Sequence, residues 1–209
     1  MDNAKINILV GCPTARTIGV KTVSCIQNLM LPTIYVADSL VYDARNELVN
    51  NAIKLKANYL LFVDSDMEFE PEALQSLITR DVDICTGLYV ERNGEHRPTI
   101  YSDLDIRTKD HDAYKVNCTK EEIKPFFKVK GCGMGFCLIK TEVFKKIIAK
   151  YGDCFQPVCG LGEDLSFCWK CEQLDIDIWC DSTFTLGHIG EYVYTTKDWE
   201  KENQNEDLL

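Results

Sequence analysis

Apolar residues first gather in "KINILVGCP", where Ile6, Ile8, Leu9 and Val10 run into Gly11 and Pro13. A β-branched apolar run stopped by such breakers predicts a strand, with a loop to follow. From Tyr42 to Asn58 the period changes: Ala44, Leu48, Ala52 and Leu55 recur every three or four residues, with Val49 and Ile53 beside them. That spacing predicts an amphipathic helix, with Asp43 available as its N-cap. The helix feeds directly into "YLLFV", an unbroken apolar run that predicts a buried strand. Pro71 suits the first turn of a short helix, "PEALQSLI", and "VDICTGLYV" predicts the next strand.

Residues 91–125 are polar, without sustained period, and hold Asn93-Gly94 and the histidines His96 and His111. Loops and a hairpin are expected there, outside the core. Order returns in "FFKVKGCGMGFCLIK", the helical "TEVFKKIIAKY" and "GEDLSFCWKCEQL", and the alternating "DIDIWCD", whose Asp175 and Asp177 are expected to face solvent. The tail "KENQNEDLL" is expected to be frayed or an arm. Strands alternating with helices predict an α/β domain around a mostly parallel sheet, and such sheets bind ligands beyond the carboxyl ends of their strands.

Composition narrows the function. With 209 residues, 45% of them hydrophobic, the chain is long enough for one compact domain. Its apolar runs fall far short of the roughly 20 residues that span a bilayer, and Met1-Asp2-Asn3 does not open a signal peptide, so a soluble, cytoplasmic protein is expected. The 11 cysteines, several inside apolar runs, read mainly as buried thiols of a reducing compartment. Cys154/Cys159 and Cys168/Cys171 could instead close a zinc site, although burial of one helical face explains the second pair equally well. A net charge of -10 argues against a nucleic-acid partner, and an anionic ligand would need help that a divalent cation can supply.

Asp-x-Asp spacing by itself carries little information, because it occurs at 64/66, 81/83, 103/105, 110/112 and 175/177. Only Asp64 and Asp66 follow a fully apolar strand. At a strand end, residues i and i+2 share a side, so both carboxylates can converge beyond the sheet. They suit a metal site or, equally, caps for the helix at Pro71. His188, between two glycines in "TLGHIGEY", is of a kind more often structural than ligating, yet Asp66 and His188 with a diphosphate would form a sensible shell for Mn²⁺ or Mg²⁺.

In order along residues 6 to 190, "CPT", "ARN" at 44–46, "FVDSDM", "GCGMGFCLIKTEVF", "GEDLSFCWK" and "GHIG" resemble the motifs of GT-A glycosyltransferases, particularly the family 2-like group. The resemblance implies a single GT-A domain over 1–209, with a nucleotide-binding half (1–90) and a sugar and acceptor half (91–209) containing a small antiparallel excursion. It implies that Asp66 and His188 ligate Mn²⁺ or Mg²⁺, that Asp64 contacts ribose or metal, and that Ser65 lies beside the nucleotide. Pro13 and Thr14 would line the nucleotide, and Arg45 would hold the diphosphate side. Gly133, Met134 and Gly135 would let the donor sugar approach the backbone. The chain is short for this group. In size and thiol content it also resembles cytoplasmic glycosyltransferase domains of large DNA viruses that decorate their own capsid glycoproteins.

The expected activity is therefore transfer of a hexose from a nucleotide diphosphate sugar, UDP-glucose by base rate, to a glycan or glycoprotein. Asp164 is the expected base in an inverting displacement, with Glu163 as rival base or partner to the acceptor. Simple helix capping is the bland reading of that pair. Two rivals remain: a sugar-nucleotide pyrophosphorylase, for which "GCPTARTIGVK" lacks glycine density, and a non-catalytic zinc-stabilised module binding carbohydrate or protein.

Overall fold

A computed structural model describes residues 6–92, 96–107 and 112–190. In chain order the elements are β1 (Ile8–Pro13), α1 (Val20–Asn28), β2 (Thr33–Val36), α2 (Val41–Lys54), β3 (Tyr59–Val63), β4 (Met67–Glu68), α3 (Pro71–Thr79) and β5 (Ile84–Gly87). There follow β6 (Ile100–Arg107), β7 (Asp112–Asn117), β8 (Phe126–Val129), β9 (Gly131–Cys132), β10 (Phe136–Lys140), α4 (Thr141–Tyr151), α5 (Glu163–Glu172), β11 (Ile178–Asp181) and β12 (Gly187–His188).

Seven strands form the central sheet in the order β2-β1-β3-β10-β5-β11-β8. The neighbours β2, β1 and β3 are parallel, as are β5 and β11, whereas β10 runs antiparallel to β3 and β5 and β8 antiparallel to β11. The sheet is mixed but mostly parallel, with helices on both faces. β3 shows why its run is unbroken: Leu60 and Phe62 enter one apolar layer, with residues of α2, α4 and α5. Leu61 and Val63 enter the other, with residues of α1 and α3. An alternating strand could not satisfy two dry faces. Phe62 meets Phe144 and Phe155 edge-on, and Phe155 stacks on Phe167 at 4.9 Å, which ties α4 and α5 to the sheet.

The structure differs from the sequence reading at several places. The expected loop after β1 contains α1 and β2. Neither advertises itself: α1 buries only Thr22 and Ile26, and β2 is a partly exposed edge strand. The second helix starts at Val41, so Asp43 lies inside its first turn, where it favours the helix dipole instead of capping. "DIDIWCD" becomes strand only from Ile178, because Asp175 adopts a left-handed conformation (φ 54°) in the turn after α5. Asp177 is exposed and ion-paired to Lys128, while Asp181 is fully buried.

The polar excursion holds the β6–β7 hairpin, extended by β9. Asn93, Gly94, His111, Asp110 and the tail lie outside the described residues. All 11 cysteines are free thiols; Cys159 is exposed, whereas Cys154, Cys168 and Cys171 are buried in the core. Among the described residues no helix is long and apolar enough to cross a membrane.

Candidate functional site

The parallel strands β1 and β3 end side by side, and the chain beyond them forms one wall of a cleft of about 500 Å³. Pro13, Thr14, Arg45, Asp64, Ser65, Asp66, Glu163 and His188 all line it. Asp66 and His188 are far apart in sequence but meet because β12 pairs antiparallel with β4, setting His188 opposite Met67. The Ile189 amide donates to the Asp66 carbonyl at 2.7 Å and fixes this crossing. His188 Nδ1 lies 2.8 Å from the Val90 carbonyl, leaving Nε2 directed at Asp66 Oδ1, 3.6 Å away. Burial alone would raise the Asp66 pKa, but the His188 contact and the Arg92 charge hold it below the usual carboxylate value. The same contact with Asp66 raises the His188 pKa against the effect of burial.

Arg45 binds the site from beneath. It lies on the buried stripe of α2 with Leu48, Val49 and Ala52 and is 3% exposed. Its Nη2 donates to Asp64 Oδ1 at 2.9 Å, and its Nε donates to Glu163 Oε1 at a longer 3.4 Å. The guanidinium also stands over the Phe62 ring, 5.4 Å from its centroid. Burial opposes its charge, but Asp64 and Glu163 more than compensate and raise its pKa. Its Nη1 is buried and has no hydrogen-bond partner among the described residues, in a site otherwise well paired.

Asp164 follows Glu163 in the first turn of α5, outside the cleft lining. Its Oδ1 accepts from the Leu165 amide at 2.7 Å. Burial, reinforced by the neighbouring Glu163 charge, pushes its pKa up to about 6 despite Arg45 and Lys115 nearby. A carboxyl poised there can accept a proton near neutral pH.

Gly133, Met134 and Gly135 are buried and do not line the cleft. What approaches their backbone is Tyr89: a Cβ on Gly133 would fall 2.2 Å from the Tyr89 hydroxyl oxygen, and one on Gly135 would fall 2.8 Å from it. The close approach that these glycines permit is, within the chain, that of the Tyr89 side chain. The Gly135 amide donates to that hydroxyl at 3.0 Å, and the ring packs edge-on against His188. The glycine segment therefore sets the histidine through Tyr89. Tyr89 and Arg92 were not singled out in the sequence; each touches the site through partners remote in the chain.

The donor set suits a shared cation better than a self-sufficient metal centre. Among the described residues no group of three or more His, Cys, Asp or Glu side chains is arranged to hold a metal. Asp66 and His188 offer one oxygen and one nitrogen donor, a chemistry that fits Mn²⁺ or Mg²⁺ when a ligand's phosphate oxygens complete the shell. Asp64 has one oxygen committed to Arg45.

No protein-family model matches the sequence, and no curated protein matches it. Among solved structures the chain is similar to A197 from STIV, with a TM-score of 0.67 over 88% of this chain and 86% of that one, at 18% identity. The two chains share a fold.

Proposed function

We propose that this chain is a metal-dependent glycosyltransferase of the GT-A kind. It would move a hexose from a nucleotide diphosphate sugar, with UDP-glucose the first donor to try, to a glycan or glycoprotein acceptor. The observation that carries the reading is the convergence of Asp64, Asp66, Arg45, Glu163 and His188 on one cleft at the carboxyl ends of parallel strands. Pro13 and Thr14 line the nucleotide side. Asp66 and His188 hold the cation, and Arg45, through Asp64 and Glu163, keeps the donor wall and the start of α5 in register. Mn²⁺ or Mg²⁺ bound there supplies Lewis-acid stabilisation of the departing diphosphate.

Asp164, next to the cleft-lining Glu163 at the start of α5, would take the proton of an acceptor hydroxyl as the hydroxyl oxygen bonds to the anomeric carbon. The bond from that carbon to the diphosphate breaks with its electron pair leaving on phosphate, and the anomeric configuration inverts. The test is incubation with a panel of nucleotide sugars and Mn²⁺, with and without glycan acceptors. Nucleoside diphosphate should be released by the wild type and not by Asp66→Asn. Pyrophosphate release from a nucleoside triphosphate and sugar phosphate would overturn the transfer reading.

A further inference from the structure

Resting on that reading of the site, one further residue, Arg92, contacts the proposed metal ligand Asp66. Arg92 lines the same cleft with its side chain 48% exposed, and its Nη2 sits 3.0 Å from Asp66 Oδ2. Its Nη1 donates to the Ile189 carbonyl at 3.1 Å, and the Ile189 amide in turn donates to the Asp66 carbonyl. Two residues earlier, the Val90 carbonyl is the partner of His188 Nδ1. The segment carrying Val90 and Arg92 thus orients one proposed ligand and neutralises the other.

Arg92 sits on Asp66 Oδ2 while a cation shared with His188 would sit at Oδ1, and a guanidinium and a divalent cation on one carboxylate repel, so each weakens the other's hold. An ion pair this exposed is weak and has a long flexible arm, so it can be displaced. We propose that Arg92 competes with the cation for the charge of Asp66 and turns from Oδ2 onto the anionic diphosphate when metal and nucleotide bind together. Metal alone then binds weakly, because Arg92 stays on Asp66 with no anion to draw its guanidinium away. A diphosphate in the cleft removes that penalty, so metal and nucleotide bind cooperatively, each favouring the other by the same factor.

The experiment measures Mn²⁺ binding by electron paramagnetic resonance, with and without UDP, in the wild type, Arg92→Gln, Arg92→Lys and Asp66→Asn. Arg92→Gln should bind Mn²⁺ alone about two- to fivefold more tightly than the wild type. Its gain in affinity on adding UDP should be smaller, and Arg92→Lys, which keeps the charge, should stay near the wild type. Equal or weaker Mn²⁺ binding by Arg92→Gln, with binding still lost in Asp66→Asn, overturns the role of Arg92 and leaves the glycosyltransferase reading standing. If Mn²⁺ does not bind the wild type even with UDP, the metal site fails and the role of Arg92 fails with it.

Discussion

Asp181 provides the sharpest test of how the sheet is held. Its carboxylate is fully buried at the end of β11 and accepts from four donors. Ser76 Oγ and Arg80 Nε each donate to Oδ2 at 2.7 Å, and the Thr183 amide and hydroxyl donate to Oδ1 at 2.9 and 2.6 Å. Burial alone would raise its pKa, but these partners hold it at about 2, against an ordinary value of 3.8. At about 1.4 kcal/mol per unit, the ionised form contributes roughly 2 kcal/mol to neutral-pH stability.

Because the folded value is the depressed one, that contribution is complete above the unfolded pKa and is lost as pH falls from about 5 towards 2. In Asp181→Asn the amide nitrogen must face one pair of donors, so two hydrogen bonds and the ion pair with Arg80 are lost together. The expected cost is about 3–5 kcal/mol at pH 7. Urea unfolding of both proteins at pH 7 and near pH 2.5 measures it, and their difference should shrink at low pH by about the linkage amount. A cost below about 1 kcal/mol, or the same cost at both pH values, would refute the assignment of Asp181 as an ionised structural hub.

Three further outcomes are expected. If Asp164 is the base, kcat/KM should rise with pH through about 6 and level off; Asp164→Asn should lose about 10²–10⁴-fold in activity yet melt at a higher temperature near pH 7.5, since its buried charge is disfavoured. Gly133→Ala should destabilise the protein by on the order of 2 kcal/mol in urea by pressing on Tyr89, and combining it with Tyr89→Phe should cost less than the sum of the two changes. Lys170→Met should lower the melting temperature by several degrees, because the buried ammonium bridges the Asp153 carboxylate at 2.9 Å and the carbonyls of Asp153, Cys154 and Gln156.

The readable parts of this molecule were those whose physics is local. "YLLFV" declares a doubly covered strand, and the carboxylates following it lie in the cleft at the end of the sheet. α1 and β2 escape notice because few of their side chains are buried, leaving little period to read. Arg45 did carry a signal, since it shares the helical stripe of Leu48, Val49 and Ala52, and a cation on an apolar stripe asks for buried carboxylates. Asp181 carried none: its donors come from α3 and the following turn, and "DIDIWCD" alone gives no reason to separate it from Asp177. The glycines of "GCGMG" were legible as a close approach but not as to what approaches, because Tyr89 comes from another strand's end.

The position of β10 between β3 and β5 has a consequence for dissecting the chain. A cut near residue 90 would leave β5 in the first fragment with neither neighbour and β10 in the second with neither of its own. Each piece would expose bare strand edges, so neither should fold alone, and the two should regain order only on meeting. The protein is thus suited to a split design, in which a signal arises only when both fragments are present together.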